Sequence, residues 1–384
     1  MVRKYSFLLL MLALLSVTAC VNSRIETRCF GELADGTNAK LFRLSNKNGA
    51  YVELTDFGAR IVSIVVPDAS GKMGDVVLGY DNISGYENDR VTYAGATLGR
   101  YANRIADGKF EIESVKYVLS VNEQRNGRGL HLHGGFEGFD RKIWSAEQIS
   151  DAESAAIRFT RISPDGEEGY AGNLDCSVTY CWTDDNVLRV TYEAATDATT
   201  IVNLSNHVYF NLRGASAGNI MEHMICINSK NRVTTDMHFL ADGMECVEGT
   251  PFDFRHMHRL GDAVDTMGIS IFDKGSLNWY VDGYDGCTLR CACVLFDQDT
   301  GRRLDIFTTE PGLLVYPCSG FDGTIVGKGG HLVQRFAAVA LETQHFPDTP
   351  NRPEFPQCVL YPGERFCSVT EYRFGIGLPA FAND

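Results

Sequence analysis

Ser177-Val178-Thr179-Tyr180-Cys181-Trp182 and Val187-Leu188-Arg189-Val190-Thr191-Tyr192-Glu193-Ala194, separated by Thr183-Asp184-Asp185-Asn186, decide the fold class. Two runs rich in β-branched and aromatic residues flank a cluster of Asp and Asn, which is how strands joined by a turn are written. The same pattern recurs at 51–66, 76–78, 109–121, 287–296, 304–308 and 337–341, bounded by turn signals such as Asp107-Gly108 and Asp299-Thr300-Gly301. No stretch carries the 3.6-residue periodicity of a long amphipathic helix. Strands at roughly ten-residue spacing predict an all-β sandwich or barrel. With no repeat, charge block or low-complexity linker, one domain over 29–384 is the simplest division, since a large β-sandwich can exceed about 250 residues.

The formal net charge of −14 on 384 residues excludes a nucleic-acid partner, whose phosphates require a basic surface. It also disfavours a phosphorylated substrate, although one local basic pocket can override the average; neutral ligands fit best. Arg3 and Lys4 precede an unbroken apolar run, 7–15, that ends in Val17-Thr18-Ala19-Cys20. The run is too short to span a hydrocarbon core of ~30 Å, which takes about 20 helical residues. Its end resembles a bacterial lipobox. Residues 1–20 are therefore expected to be a lipoprotein signal with Cys20 as the lipidated residue. Residues 21–28 would form a short tether, placing the protein on a periplasm-facing membrane or at the cell surface. Eleven cysteines remain, an odd number, and Cys291 and Cys293 alternate onto one strand face. No paired Cys-x-x-Cys arrangement suggests structural zinc.

Four segments concentrate polar chemistry: Gly99-Arg100-Tyr101-Ala102-Asn103-Arg104-Ile105, His131-Leu132-His133-Gly134-Gly135, Asn206-His207-Val208-Tyr209-Phe210-Asn211-Leu212, and Leu341-Glu342-Thr343-Gln344. Each has a plain reading when taken alone. Arg104 can pair with surface carboxylates. His131 and His133 share a strand face but lack a third ligand, so a hydrogen-bonding pair is expected rather than a metal site. His256 and His258 sit between Arg255 and Arg259, which repel a cation. Glu342 follows the apolar run 337–341, at what reads as a strand end.

Taken together and in this order, the four segments resemble the aldose 1-epimerase (galactose mutarotase) family. Phe57-Gly58-Ala59-Arg60, Thr308-Thr309-Glu310-Pro311-Gly312 and Leu360-Tyr361-Pro362-Gly363-Glu364 extend the likeness over the mature chain. The resemblance implies a large single-domain β-sandwich of the galactose-mutarotase-like supersandwich type, with a sugar cleft on a concave sheet. It implies interconversion of the α and β anomers of a free hexose by a monomer that uses no metal or other cofactor. Carried over by motif, Glu342 is the catalytic base and His207 the catalytic acid. Arg104 and His133 are sugar-hydroxyl ligands, with Asn103 a further contact beside Arg104.

Two segments depart from the family. Relatives usually carry a Gly-aromatic-Asp-His-Asn segment whose aspartate binds sugar hydroxyls. Here Lys274-Gly275-Ser276-Leu277-Asn278-Trp279-Tyr280 has Ser276 or Leu277 in that place, with Asp273 or Asp282 as substitutes from a shifted register. Tyr316-Pro317-Cys318-Ser319 stands where relatives have Tyr-Thr-Gly-Asn. Substrate preference is expected to shift accordingly.

Anomer exchange needs a base at the C1 hydroxyl and an acid at the ring oxygen, with the roles exchanged on closure. An ionised glutamate, whose charge raises the pKa of a nearby histidine, suits this near neutrality. A glycoside hydrolase would instead need two carboxylates about 5–9 Å apart. A carbohydrate-binding protein would keep the cleft and dispense with the acid–base pair.

Overall fold

The computed structural model describes residues 24–150, 154–263 and 277–378. Cys20 with the expected export segment, and Asp273 and Ser276, lie outside the described residues. Nine antiparallel strands form the largest sheet, in the order Ser145–Gln148, Ser154–Ser163, Leu174–Thr183, Val187–Thr196, Phe366–Ile376, Arg302–Thr308, Arg290–Phe296, Met224–Ile227 and His258–Arg259. Leu174–Thr183 alternates strictly, with Leu174, Cys176, Val178, Tyr180 and Trp182 buried and the residues between them less so. Val187–Thr196 buries Leu188, Val190, Tyr192 and Ala194, and the register sets Tyr180 opposite Val190 and Trp182 opposite Leu188. The two strands thus present one apolar face, the period-2 geometry expected of a sheet covered on one side. Asn186, with φ 59°, turns the chain between them.

A six-stranded antiparallel sheet lies against this face, in the order Tyr209–Phe210, Val339–Gln344, Gly312–Tyr316, Leu277–Tyr280, Asn231–Thr235 and Ala241–Cys246. Val339, Leu341, Leu313, Val315 and Trp279 join Val190, Tyr192, Ile306 and Tyr372 in one core. Thr343 Oγ1 lies 2.6 Å from Thr370 Oγ1, a polar tie between the two sheets. A five-stranded sheet from Ile25–Glu32 to Met73–Asp75 adds Val52, Leu54, Ile61 and Ile64 to the same core. The all-β sandwich is as expected, and the one described α-helix, Ile83–Asn88, has six residues.

Several local readings need correction. The stretch expected as a tether already contributes Ile25–Arg28 to the first strand. Ile25 is buried in the core and pairs with Leu44, which holds the chain from that point on. Glu342 lies inside the strand Val339–Gln344 rather than at its end. A bulge between Cys291 and Cys293 sets them opposite Phe307 and Ile306, so the extra residue places the two thiols on opposite faces. All eleven cysteines beyond Cys20 are free thiols.

Candidate active site

Alternation along Val339–Gln344 builds the site. Val339, Leu341 and Thr343 point into the sandwich, so Glu342 must project from the opposite face into a cleft. Leu314 is its cross-strand partner on one side. On the other side Tyr209 pairs with Ala340, and the residues just before Tyr209 bring His207 alongside Glu342, with Nε2 3.5 Å from Oε1. Backbone bonds from His207 N to Ala96 O and from Gly95 N to His207 O, both 2.9 Å, fix the residue. Its ring packs among Tyr209 (4.8 Å between centroids), His133 (5.4 Å) and Tyr93 (6.1 Å, nearly parallel).

The facing wall comes from two turns with left-handed backbone, Asn103 (φ 72°) and His133 (φ 50°). They bind reciprocally: His133 N donates to Asn103 O at 3.0 Å, and Asn103 N donates to His133 Nδ1 at 3.1 Å. Because Nδ1 accepts, the neutral imidazole carries its proton on Nε2 and is a hydrogen-bond donor there. The turn after His133 is clamped by Glu168, whose carboxylate accepts from Phe136 N and Glu137 N. A Cβ on Gly134 would lie 1.8 Å from Gly99 O, which is why the Leu-His-Gly-Gly segment needs a glycine there. Arg104 also lines the cleft, where its Nε and Nη2 donate to Glu123 at 2.7 and 3.0 Å. Asn103 Nδ2 and Glu342 Oε2 are buried without a hydrogen-bond partner, two polar atoms facing unmet demand in a cleft.

The five residues singled out by motif therefore meet in one cleft. His131 does not join them. Its Nδ1 lies 2.8 Å from Ser120 O and its Nε2 accepts from Tyr170 OH at 2.6 Å, so the strand-face pair with His133 does not form. Potential ligand atoms of His133, His207 and Glu342 do lie within 4.8 Å of one another. A metal would nonetheless need the lone pair of His133 Nε2, and the Asn103 amide forces the proton onto that nitrogen. The donor set fits a hydroxyl better than a cation. Trp279 is a core residue donating to Phe252 O. Asp282 accepts from Lys230 N and does not border the cleft, so it does not replace the missing aspartate. Leu277 borders the cleft but buries its side chain in the core.

Tyr93, Glu123, Arg125, Phe239 and Leu314 line the cleft without having stood out in the sequence. The one available signal was Glu123, a charge just beyond the run 109–121.

Burial sets the protonation of the pair. It pushes the Glu342 carboxyl up to about 8, against a pull downward from Arg104. It pushes His207 down to about 4. The expected order, an ionised glutamate beside a cationic histidine, is reversed because desolvation outweighs the attraction of the partners. Total charge and proton count are unchanged: the pair holds one proton in either arrangement.

The aldose 1-epimerase family model matches residues 40–373. Galactose mutarotase of Rattus norvegicus is 37% identical over 349 residues, covering 90% of this chain and 97% of its own length. Aldose 1-epimerase of Escherichia coli K12 is 34% identical over 351 residues, covering 88% and 96%. Among solved structures, an aldose epimerase homologue from C. elegans superposes with a TM-score of 0.78 at 26% identity, over 88% of this chain and all (100%) of that one. Galactose 1-epimerase from Lactobacillus acidophilus also gives 0.78 at 26%, over 92% and 99%.

An NMR titration of the histidine ring protons tests the electrostatics directly. In the sugar-free protein the His207 ring should stay neutral from pH 8 down to about 5 and protonate only below that. A midpoint at or above the ordinary imidazole value of about 6.5 would contradict the dominance of burial.

Proposed function

The chain belongs to the aldose 1-epimerase family, and from that premise we propose that Glu342 and His207 are its catalytic pair, acting on a hexose held by Arg104, His133 and Asn103. It is an isomerase that interconverts the α and β anomers of a free sugar. The observation that carries the assignment of roles is the placement of His207 and Glu342 side by side on one face, 3.5 Å apart, with Glu342 Oε2 unpartnered. With C1–OH at Glu342 and the ring oxygen at His207, one group accepts a proton while the other donates. The C1–O5 bond opens, the C1–C2 bond rotates, and the transfers run back on the other face. A bound sugar replaces the lost solvation of both groups with hydroxyls. That favours the charged arrangement, with Glu342 the base and His207 the acid. His133 Nε2–H and the Arg104 guanidinium orient the hydroxyls, and orientation is where much of the rate originates.

The cleft disfavours a hydrolase. Among the described residues its carboxylates are Glu123 and Glu342, and Glu123 is engaged by two guanidiniums, which hold its pKa below the usual range despite burial. Held by both guanidiniums, its oxygens are not free to act as a nucleophile or to activate a water. A binding protein without catalysis would have no use for a buried carboxyl beside an imidazole. The five site residues all come from one chain, which supports our proposal that the protein acts as a monomer. Galactose is the sugar for which the mammalian relatives are named. With Ser276 or Leu277 in place of an aspartate, this chain should bind it less tightly. We further propose that residues 1–20 direct export and that Cys20 carries a lipid, on the support of the lipobox-like segment.

Two outcomes are expected. Optical rotation of freshly dissolved hexoses should relax faster with enzyme. Glu342→Gln, which keeps shape and removes the base, should lower kcat by about 10²- to 10⁴-fold with the Tm preserved. A fully active Glu342→Gln enzyme would exclude Glu342 as the base. Expressed in a bacterium with its full sequence, the protein should fractionate with membranes, and Cys20→Ser should move it to the soluble fraction. Unchanged membrane association of that variant would reject the anchor.

A further inference from the structure

Beyond Arg104 the cleft continues along a wall of planar groups. Arg125 donates to Glu123 through Nε and Nη2 at 3.2 and 3.1 Å, so the guanidiniums of Arg104 and Arg125 share one carboxylate. Both lie over the ring of Phe239, Arg125 at 4.0 Å and Arg104 at 5.4 Å. Phe239 is held in the left-handed region at φ 63° by the turn 236–240, where Phe239 N donates to Asp236 O and Asp236 N to Leu240 O. Arg90 stands at the same rim, with its own partner Glu137 outside the cleft lining.

Two cations around one anion leave a net positive charge on this wall. Among the described residues, Nη1 of Arg104 and Nη1 of Arg125 donate no hydrogen bond, so each guanidinium keeps N–H groups for a further acceptor. Such a pair, stacked on an aromatic ring, is pre-organised for a second carboxylate. The acidic surface elsewhere does not cancel it, because charges beyond about 8 Å are largely screened at physiological ionic strength.

We infer that the preferred substrate is an aldose carrying an oxyanion at the end remote from C1, specifically the carboxylate of a hexuronic acid, bound by Arg125 together with Arg104. This rests on the anomer-exchange reading and names its substrate class. The catalytic pair would hold C1–OH and the ring oxygen, as for a neutral sugar. The group at C5 would point toward the Arg104–Glu123–Arg125 wall, where a neutral hydroxymethyl makes weaker contacts. A phosphate at the same carbon shares this chemistry but is larger and carries more charge.

The test follows polarimetric relaxation of freshly dissolved glucuronate, glucose 6-phosphate and glucose with the full-length protein. Expected is a kcat/KM for glucuronate about tenfold or more above that for glucose, and above that for the phosphate. Arg125→Met should lower the glucuronate-to-glucose ratio by about tenfold. Should Arg125→Met fail to fold, the wild type is decisive by itself. Raising NaCl from about 20 to about 500 mM should raise KM for glucuronate several-fold while leaving that for glucose unchanged. Acceleration of glucose with no preference for either anion, or a salt-independent KM for glucuronate, would overturn the inference and leave anomer exchange standing. Preference for the phosphate over the uronate would overturn the carboxylate assignment. No acceleration of any sugar would instead remove the activity on which it rests.

Discussion

The structure turns on the burial of one carboxyl. Glu342 sits in a central strand of the six-stranded sheet, almost without contact with solvent, and its immediate ionisable companion is His207 at 3.5 Å. An isolated charge there would be expensive, and a fully charged pair only partly repays its lost hydration. The cheapest arrangement at this burial is a neutral carboxyl beside a neutral imidazole. On the proposed roles ring opening moves two protons, one from C1–OH to the carboxylate and one from the imidazolium to the ring oxygen. Desolvation therefore stores the acid–base pair in its resting tautomer, and a bound sugar needs only to shift the proton between partners already in place.

The surrounding fold keeps this arrangement rigid. Val339, Leu341 and Thr343 anchor the strand in the sandwich core, which fixes the direction in which Glu342 points. His207 is held by its own backbone and by stacked rings, and His133 by the reciprocal bonds with Asn103. Each of the candidate side chains is thus oriented by main-chain bonds, by packing or, for Arg104, by the Glu123 carboxylate. Glu168 extends this support outward, since its carboxylate closes the turn that carries His133.

Much of this could be read from sequence because its physics is local. Alternation in 174–196 displays a sheet face, and the apolar run 337–341 marks the strand that carries Glu342. The motifs brought Asn103, Arg104, His133, His207 and Glu342 together without distances. What could not be read depends on contacts between distant segments. Glu123 and Arg125 from one hairpin meet Phe239 from another loop, which no spacing in the chain announces. Likewise the bulge at 291–293 reverses a thiol's face by one extra residue, and the start of the first strand at Ile25 follows from pairing with Leu44. The reversed protonation of His207 and Glu342 is a burial effect, invisible until the sheets enclose them.

Whether the two groups act as one concerted acid–base unit is measured most directly by a double-mutant cycle on kcat, comparing Glu342→Gln, His207→Asn and the combination by polarimetry on one sugar. If the two proton transfers occur together in one step, losing either partner disables the same step. The double variant should then be little slower than the slower single variant, far from the product of the two losses. Losses that multiply would mean that Glu342 and His207 contribute independently, and the concerted acid–base pair would have to be abandoned.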